Sequence, residues 1–475
     1  MNPIALDTVI KQTSSLCPVC KAQIDAEVYR RDGKVYLRKA CTEHGTFDVL
    51  INSDERYYYD SRGANSAANA SASEGCCSSG CGCGPADSLT ALTALGNGKN
   101  GGTDSGGGGH DPTIVETAST CIALIEVVET CNLRCPTCYA DSPYSDPQSI
   151  KALTLDEFRG RVNAVTKRKG KIDILQLSGG EPTIHPQFFE LMEWSLRSDM
   201  IGYVLLNTNG VLLARDQAFM QRLGELHQQY KGFEVYLQFD GTQASGQAEL
   251  RGADLRKIRQ QAIHGCKAHG VPVTLAMTVD EHNIAHLGDT LRFALAEPNV
   301  RGLVFQPMFT SGRGYTPGYV QLGKHPDNLN VADIILGLID QSDGLLTDKD
   351  FTPLPCGDPN CHTIGYLIRR GDQVQRVSDL IDFSEVQGFL RDRINFTMQD
   401  LAQCGCESEE LGHMLRALEI GPDDVLRLFI KPFMDAWTYD QDRIDRCCVH
   451  VIGEGGKLES FCRHYAMRGV ETRGV

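Results

Sequence analysis

The sequence lacks long hydrophobic runs, an excess of positive charge and a leader-like N-terminus. Its longest apolar stretches, such as residues 122–128 and 203–206, are far shorter than the ~20 residues that cross a bilayer. Lys and Arg number 46 against 61 Asp and Glu, which gives a net charge of −15, and no basic block offers a surface for phosphates. The N-terminus shows no basic region followed by an apolar one, the pattern of a secretory leader. We therefore expect no nucleic-acid partner and a cytoplasmic location.

Cysteine, by contrast, is abundant, with 19 residues in a chain of 475. Small secreted proteins use such cysteines in disulfides, but tight cysteine clusters in a chain of this length without a leader indicate metal sites. The length predicts about three domains. An apolar fraction of 41% is typical of a folded protein.

Composition divides the chain into four parts. Residues 1–60 form a compact unit with two short strands around an Asp32-Gly33 turn. Residues 61–115 are rich in Gly, Ser, Ala and Asn, which predicts a flexible linker. Residues 116–325 alternate strand-like and helix-like segments, and residues 326–475 are less regular and carry several cysteines.

The alternation in residues 116–325 predicts an α/β fold. Short β-branched runs indicate strands buried on both faces. Consecutive strand–helix units imply a parallel sheet with right-handed crossovers, either an open sheet or a full or partial barrel. The predicted strands are residues 122–128, 172–177, 203–207, 233–239, 271–279 and 302–308. The predicted helices are residues 155–169, 186–198, 215–229, 255–269, 285–296, 331–340 and 384–391.

Three cysteines, Cys131, Cys135 and Cys138, follow the first strand of this array. Loops at the carboxyl ends of parallel strands are where α/β proteins place reactive groups. Three thiolates at this spacing can hold three irons of a [4Fe–4S] cluster, and a missing fourth ligand leaves one iron open to a substrate or cofactor. The alternative is a structural metal site whose fourth ligand lies elsewhere in the chain.

A second motif, Gly179-Gly180-Glu181, ends the second predicted strand. The glycine pair permits close approach of the backbone to a ligand, and Glu181 supplies a carboxylate for a cationic amine. Together with the CxxxCxxC loop, this motif resembles the radical S-adenosylmethionine (SAM) superfamily over residues 116–325. The resemblance implies a partial (β/α)6 barrel within the α/β fold.

The resemblance also implies cofactors and their contacts. The three loop cysteines would ligate a [4Fe–4S] cluster whose open iron binds SAM, and the Gly-Gly-Glu motif matches the segment that contacts the methionine amino group. The reduced cluster would cleave SAM to methionine and a 5′-deoxyadenosyl radical, which abstracts a hydrogen atom. Many members carry an aromatic residue just before the third cysteine, whereas here Thr137 stands there and Tyr139 follows it.

Two further strand ends carry polar residues that suit the ribose hydroxyls or the methionine carboxylate of SAM. Asn209 follows the third strand, and Gln238 and Asp240 follow the fourth. Gln238 and Asp240 are favoured because an inward polar residue after an apolar run needs a partner. The alternative is that Asn209-Gly210 and Asp240-Gly241 merely form tight turns.

In the N-terminal unit, Cys17, Cys20, Cys41 and His44 form a CxxC…CxxH set. Such a set suits a tetrahedral Zn²⁺ or a mononuclear iron, and a unit this small needs a metal to hold it together. Because four protein ligands close the site, we expect a structural role. The alternative is four unrelated core residues.

The remaining cysteines predict auxiliary clusters. One four-thiolate [4Fe–4S] cluster, of the kind the superfamily often has near its C-terminus, would draw on five candidates: Cys356, Cys361, Cys447, Cys448 and Cys462. The neighbours Cys447 and Cys448 are not expected to ligate the same cluster. A third cluster, or a linker that binds metal adventitiously, would use Cys77, Cys81, Cys83 and Cys121. Four cysteines stay unassigned: Cys76, Cys266, Cys404 and Cys406.

The order of these parts resembles one group within the superfamily. Along the chain the motifs come in this order: CPxC, CxEHG, a cysteine-rich linker, TCNLRCPTCYA, LSGGEPTIHP, LQFDG and FMDAWTYDQDRIDRCCVH. The archaeal tetraether lipid synthase group and its bacterial relatives are similar, and one such protein was earlier assigned as a methyltransferase for a methanopterin precursor. The linker departs from the CxxxCxxC of that group. The resemblance implies a rubredoxin-like mononuclear Zn or Fe site, the radical SAM cluster and one or two auxiliary clusters.

This second resemblance implies an activity. Members of the group join lipid hydrocarbon tails through a C–C bond between unactivated carbons. Hydrogen would be abstracted from a terminal methyl, and the alkyl carbon would be held near an auxiliary cluster until a second tail is coupled. The expected partners are a lipid or small-molecule substrate, an electron donor such as ferredoxin or flavodoxin, and, peripherally, the membrane surface.

Three other functions compete with lipid coupling. A radical SAM methyltransferase acting on a pterin-like molecule would leave lipids unchanged. A peptide-modifying maturase predicts a small precursor peptide encoded beside the gene. An iron–sulfur electron carrier has no need of an open iron, so the Gly-Gly-Glu motif beside three cysteines argues against it.

Overall fold

The computed structural model describes residues 7–59, 120–314, 329–380 and 420–467, apart from residues 147, 355, 372 and 422. Several predictions from the sequence lie outside these ranges: the helix at residues 384–391 and the linker cysteines Cys77, Cys81 and Cys83. Among the described residues, every helix is too short or too polar to cross a membrane.

The N-terminal unit is an antiparallel sheet of four strands. Its strands are β1 (Thr8–Leu16), β2 (Gln23–Arg31), β3 (Lys34–Cys41) and β4 (Gly45–Asn52), paired in that order. Asp32 and Gly33 join β2 to β3 with positive φ angles of 51° and 73°, as a two-residue hairpin turn requires. The predicted hairpin is confirmed, and β1 and β4 extend it to a sheet whose core includes the buried Val28, Val35 and Leu37.

The larger sheet contains the other described strands. They are β5 (Ile122–Val128), β6 (Ile172–Gly179), β7 (Ile201–Thr208), β8 (Phe233–Gln238), β9 (Val273–Val279), β10 (Val300–Pro307), β11 (Thr352–Pro353), β12 (Thr363–Arg370), β13 (Gln373–Arg376), β14 (Val425–Ile430), β15 (Val449–Ile452) and β16 (Leu458–Ser460). The order is β11-β12-β14-β10-β9-β8-β7-β6-β5-β15-β16, with β13 paired to β12. Strands β5 to β10 pair in sequence order and are all parallel, which confirms the partial barrel.

Of the ten α-helices described, the first seven connect the parallel strands β5 to β10 and the last three follow β10. They are α1 (Leu155–Lys169), α2 (Phe188–Arg197), α3 (Val211–Arg215), α4 (Gln217–Tyr230), α5 (Gln247–Arg251), α6 (Arg256–Ala268), α7 (Leu287–Ala296), α8 (Val331–Gln341), α9 (Gln441–Asp445) and α10 (Phe461–Ala466). Short 3-10 turns occupy Glu55–Tyr57, Pro182–Ile184, Ile284–His286, Gly312–Gly314, Asp348–Asp350, Val377–Asp379 and Glu454–Gly456.

Helix α1 shows why these segments form where they do. Thr154 caps its first turn, and Glu157 returns the hydrogen bond in a capping box, which satisfies otherwise unpaired N–H groups. Phe158, Val162 and Val165 are spaced at i, i+4 and i+7 and are buried, so one face of the helix packs against the outside of the sheet. The residues on the other face of each strand line the interior of the barrel.

The C-terminal strands extend both edges of the barrel sheet. Strand β14 lies parallel to β10, and β15 lies parallel to β5, with Val449 opposite Ile122. The second pairing is completed by hydrogen bonds of 2.9 and 3.1 Å from the backbone N–H groups of Cys121 and Ile122 to the carbonyl oxygen of Cys448. Cysteines more than 300 residues apart in sequence are thereby brought together.

The N-terminal sheet is docked onto the segment between β14 and α9. The buried Lys39 ammonium donates hydrogen bonds to the carbonyl oxygens of Ala436 and Trp437, at 2.6 and 2.7 Å. Lys11 forms a buried ion pair with Asp440 at 2.7 Å. These contacts fix the small sheet relative to the C-terminal cysteines.

Candidate active site

The cysteine loop begins directly after β5 and is fixed by its backbone. The N–H of Cys131 donates to Pro143 O at 2.9 Å, and the Cys131 carbonyl accepts from the N–H of Ser145 at 3.0 Å. The Arg313 guanidinium donates to Cys135 O at 3.0 Å, and the Arg313 N–H donates to Cys138 O at 2.9 Å. The loop is therefore held mainly by backbone contacts, although Cys131 Sγ also accepts a hydrogen bond of 3.4 Å from the Leu133 N–H.

The three sulfurs are partly buried and close enough to influence one another. Burial, followed by the charge of Glu181, raises the pKa of Cys131 to about 12. Burial also raises the pKa of Cys135, with the neighbouring Cys138 adding to it. A bound cation is what stabilises several thiolates in such a place, so the donor set fits a metal cluster.

Gly179 and Gly180 allow the ends of β5 and β6 to touch. A Cβ on Gly179 would lie 2.1 Å from the carbonyl oxygen of Val128, and one on Gly180 would lie 2.0 Å from that of Thr130. Gly179 also has a φ of +124°, which side chains disfavour. The glycine pair therefore packs against backbone that leads directly into Cys131.

Glu181 ties two strand ends together. Its buried carboxylate accepts hydrogen bonds from Thr183 Oγ1 and Thr208 Oγ1, both at 2.6 Å, and from the N–H groups of Asn209 and Thr183 at 2.8 and 3.2 Å. Burial raises the pKa of Glu181, and these hydrogen bonds oppose the shift. The Asn209 amide in turn donates to Asn132 Oδ1 at 2.7 Å and lies 3.9 Å from Cys131 Sγ. The polar strand ends thus face the cysteine loop.

Asp240 is used differently from the sequence prediction of a direct contact with SAM. Both of its carboxylate oxygens accept hydrogen bonds of 2.7 Å from Arg251, and Arg259 lies 3.3 Å away. Burial alone would raise the pKa of Asp240, but the two guanidinium groups outweigh it and lower the pKa. The carboxylate is therefore occupied, and it holds Arg251 in place.

Arg251 was missed by sequence reasoning. Its Nη2 also donates to Thr278 Oγ1 at 2.8 Å, while its Nη1 has no hydrogen-bond partner among the described residues. The side chain lines a cavity beside the cysteine loop and is close enough to Cys135 and Cys138 to feel their charge. In the sequence Arg251 is an isolated Arg in a segment for which no helix or strand is predicted, which carries no signal.

That cavity, termed here the upper cavity, takes in about 860 Å³ of space, part of it open to solvent. Its lining includes Asn207, Gln238, Arg251 and Thr278, here called its polar side. It also includes Tyr139, Phe309, Phe433 and Phe461, here called its aromatic side. The aromatic rings form one compact cluster, with centroids 5.7 Å apart for both Tyr139–Phe309 and Tyr139–Phe461, 5.5 Å for Phe309–Phe433 and 4.2 Å for Phe433–Phe461. The cluster includes the residue after Cys138 and the residue before Cys462.

The four predicted N-terminal ligands come together. The ligand atoms of Cys17, Cys20, Cys41 and His44 all lie within 4.8 Å of one another. Burial raises the pKa of Cys17 to about 11, whereas the hydrogen bond with His44 lowers the pKa of Cys41 to about 6. Three thiols and one imidazole in a tight group fit a closed tetrahedral site.

Two of the five C-terminal cysteines lie in a tight group with Cys121, and the single cluster expected from these five residues stays a prediction. Cys356 and Cys448 meet Cys121, and the three sulfurs lie within 4.8 Å of one another. Cys121 and Cys356 are joined as a disulfide, although their Cα atoms are 7.4 Å apart, beyond the usual span of a disulfide. We call these three cysteines group A.

The other three cysteines form group B. The charge of Cys447 acts on both Cys361 and Cys462, and the charge of Cys361 also acts on Cys462. Burial is the largest cause that raises the pKa of Cys462 to about 12, and the two neighbouring thiols add to it. Arg443 Nη2 lies 3.6 Å from Cys361 Sγ. Cys447 and Cys448 are assigned here to different groups, and that they do not ligate the same cluster stays a prediction.

Comparisons with known proteins agree with this architecture. Residues 9–53 match the family described as the HMPTM N-terminal zinc ribbon domain, and residues 125–294 match the radical SAM superfamily. A Methanocaldococcus jannaschii protein named 7,8-dihydro-6-hydroxymethylpterin dimethyltransferase is 26% identical, over 97% of this chain and 94% of its own length. Fe-coproporphyrin III synthase of Methanosarcina barkeri is 25% identical over 41% of this chain and 45% of its own.

Solved structures give partial matches. One is anSMEcpe with bound AdoMet and a peptide, 25% identical with a TM-score of 0.31, covering 39% of this chain and 50% of that one. Another is Streptococcus suis SuiB bound to its precursor peptide SuiA, 12% identical with a TM-score of 0.36, covering 71% and 69%. The superfamily match over residues 125–294 shows that this chain contains a radical SAM domain and is a radical SAM enzyme.

Proposed function

We propose that this enzyme forms a carbon–carbon bond between hydrocarbon tails of lipids inside the barrel. The observation that carries the proposal is the mixed lining of the upper cavity. Its hydrogen-bonding side chains near the cysteine loop suit SAM, and its cluster of touching aromatic rings suits an apolar chain. The order of the cysteine sites along the chain supports the same assignment.

Cys131, Cys135 and Cys138 would hold the [4Fe–4S] cluster of the superfamily, and the residues around them would position SAM. The backbone at Gly179 and Gly180, shaped by Glu181, lies beside the loop. When bound, the cluster and SAM supply a radical that abstracts a hydrogen atom.

The chain's own polar residues would fix the orientation of SAM. Arg251 offers its free Nη1 to the methionine carboxylate, and Asp240 holds the guanidinium by two hydrogen bonds, so little side-chain freedom is lost on binding. Asn209 and Gln238 stand at the neighbouring strand ends for the ribose hydroxyls or the amino acid part. Asp240 thus acts through Arg251 rather than by contact.

The aromatic side of the upper cavity would bind the substrate. Its rings give apolar contact area along the cavity, and they exclude water from a reactive intermediate that water would otherwise quench. A hydrocarbon tail needs no hydrogen-bond partner, which matches the aromatic wall and not the polar one. The polar and aromatic sides of one cavity would in this way hold SAM and the substrate close to each other.

Groups A and B would be two auxiliary metal centres, and the N-terminal site would hold one Zn or Fe ion. Group B offers three thiols for iron–sulfur ligation, and group A would offer three once the Cys121–Cys356 disulfide is reduced. A ferredoxin- or flavodoxin-like carrier would supply electrons, and lipid would be reached by peripheral membrane contact. The linker cysteines remain candidates for a missing ligand.

A second candidate is methyl transfer to a pterin. It is favoured by one observation, the 26% identity over 97% of the chain with the M. jannaschii protein of that name. Such a substrate is small, planar and rich in hydrogen-bonding groups, and it would use the polar side of the upper cavity together with SAM.

Anaerobic expression in a host whose lipids lack chain-to-chain links tests the proposal. Hydrolysed lipids analysed by mass spectrometry should contain products of twice the chain mass less two hydrogens. A Cys135→Ala variant, which lacks a loop ligand, should give none. Purified enzyme incubated with SAM, reductant and 7,8-dihydro-6-hydroxymethylpterin provides the second arm. Methylated pterin with unchanged lipids would reject lipid coupling in favour of the second candidate.

A further inference from the structure

A second cavity lies in the barrel at the end where the strands begin. It has a volume of about 680 Å³ and is termed here the lower chamber. Ile122, Ile174, Tyr203, Thr274 and Gly302, all from the first three residues of their strands, contribute to its wall. The upper cavity ends at the same residues where the lower chamber starts, since both are lined by Gln176, Tyr236 and Lys431. The chamber therefore lies on the far side of the upper cavity from the cysteine loop.

Three side chains that face this chamber make no hydrogen bond of standard geometry with the described residues. His362 is 4% exposed, and both of its ring nitrogens lack such a bond within the described part of the chain. The register Thr363–Ile430 between β12 and β14 places His362 opposite Lys431, whose ammonium makes no hydrogen bond or ion pair with the described residues. The Tyr203 hydroxyl likewise has none among them.

The carboxylate of the chamber is already neutralised. Glu234 accepts from Arg427 Nη2 at 2.7 Å and from Thr274 Oγ1 at 3.0 Å. Tyr236 accepts a hydrogen bond of 2.7 Å from Gln306. Because the Glu234–Arg427 pair cancels, the charge that remains facing the chamber is the positive charge of Lys431.

The rest of the wall is apolar. Leu205, Val304 and Phe429 line it together with the two isoleucines. A purely hydrocarbon occupant would leave the unpaired donors buried without hydrogen bonds, which is unfavourable. A fully polar occupant would gain no hydrophobic stabilisation from contact with the apolar wall. The lining calls for a molecule with an anionic group on an apolar or aromatic body.

We propose that the lower chamber binds an organic anion, a carboxylate or phosphate carried by a compact apolar or aromatic body. The anion accepts hydrogen bonds from Tyr203, His362 and Lys431, and the body packs on Leu205, Val304 and Phe429. This site is separate from the proposed place of SAM and does not depend on which substrate the enzyme couples. It gives the barrel a second ligand position next to the first.

Binding of simple probes to the anaerobically purified holoenzyme tests this site. Benzoate and phenyl phosphate represent the carboxylate and phosphate sources, and benzamide is the neutral control of similar shape. Dissociation constants from ligand-observed NMR should be at least tenfold lower for one of the anions than for benzamide. Equal affinity of all three probes, or no saturable binding, would overturn the proposal.

Variants away from the cysteine groups locate the binding. Val304→Phe fills the chamber and should abolish anion binding, and Tyr203→Phe removes one donor and should weaken binding about fivefold to tenfold. Tyr230→Phe is the matched control, because Tyr230 bonds Arg197 and Glu193 outside the barrel. Anion affinity unchanged in Val304→Phe and Tyr203→Phe contradicts the assignment. Cleavage of SAM without substrate should persist in Val304→Phe, so failure here is separable from failure of lipid coupling.

Discussion

The N-terminal sheet and the barrel each hold closely spaced cysteines, but the two settings differ. Cys17, Cys20, Cys41 and His44 surround one point and leave no position open. The barrel loop offers three sulfurs beside a cavity of about 860 Å³. The first arrangement is complete in itself, whereas the second is completed by what enters the cavity. A closed donor set is typical of a structural site and an open one of a reactive site.

Removing one ligand from each site gives the largest expected contrast. Cys135→Ala should reduce SAM cleavage more than about 100-fold, because changing a residue that merely supports a metal ligand already costs up to about 100-fold. Its thermal unfolding should change little. Cys41→Ala should unfold the N-terminal sheet, because a structural metal supplies folding free energy directly. Deoxyadenosine assays and calorimetry on both variants measure the two effects. Loss of activity without loss of stability in Cys41→Ala would contradict the structural role.

A glycine substitution tests how tightly the barrel loop is built. Gly180→Ala places a Cβ 2.0 Å from the Thr130 carbonyl oxygen, and we expect destabilisation of about 3 kcal/mol together with weaker SAM binding. Gly160→Ala in α1 is the matched control. Its Cβ meets nothing within 4 Å, so it should stabilise the helix by about 0.5–1 kcal/mol. Denaturant titration of both variants checks the sign, and a stable Gly180→Ala would show that the strand ends can separate.

The sequence predicts the barrel better than the metal centres because periodicity is local. The predicted strand at residues 172–177 and helix at residues 155–169 match β6 and α1 closely. The division of the C-terminal cysteines depends on β15 pairing with β5, a contact between residues more than 300 apart that no local pattern encodes. The CxxC…CxxH set could be found since its ligands lie within one small unit.

Asp240 shows a second limit of sequence reasoning. Its position after an apolar strand marks it as a polar group that needs a partner, and that expectation is correct. In the structure its carboxylate bonds Arg251 of the following helix, and direct contact with the cofactor stays an untested prediction. Which polar group faces the cavity is decided by tertiary packing, so the sequence identified the place and missed the residue.

Arg251→Lys sharpens the assignment of the polar side of the upper cavity. Lysine keeps the charge but loses the two-pronged geometry. Loss of one charged hydrogen bond predicts about 10- to 100-fold weaker SAM binding. Arg256→Lys is the matched control, because Arg256 pairs with Asp254 at 2.7 Å outside the cavity. Equilibrium dialysis with SAM measures the change, and iron content verifies that the loop is intact. Equal affinities in the two variants would remove Arg251 from the SAM site.

The smallest expected effect is the acid sensitivity of the barrel itself. Burial lowers the pKa of His227 to about 4, below its unfolded value near 6.5. The unfolded chain therefore binds more protons between these values, and the free energy of unfolding falls as pH drops from about 6.5 towards 4.

His227→Phe should flatten that dependence by about 1–3 kcal/mol. His264→Phe, at an exposed position of α6, serves as the control. Denaturant unfolding at pH 7.5 and pH 5 measures the difference. If His227→Phe retains the full loss of stability, the acid sensitivity arises elsewhere, and the thiolate ligands of the N-terminal sheet, which acid protonates, become its source.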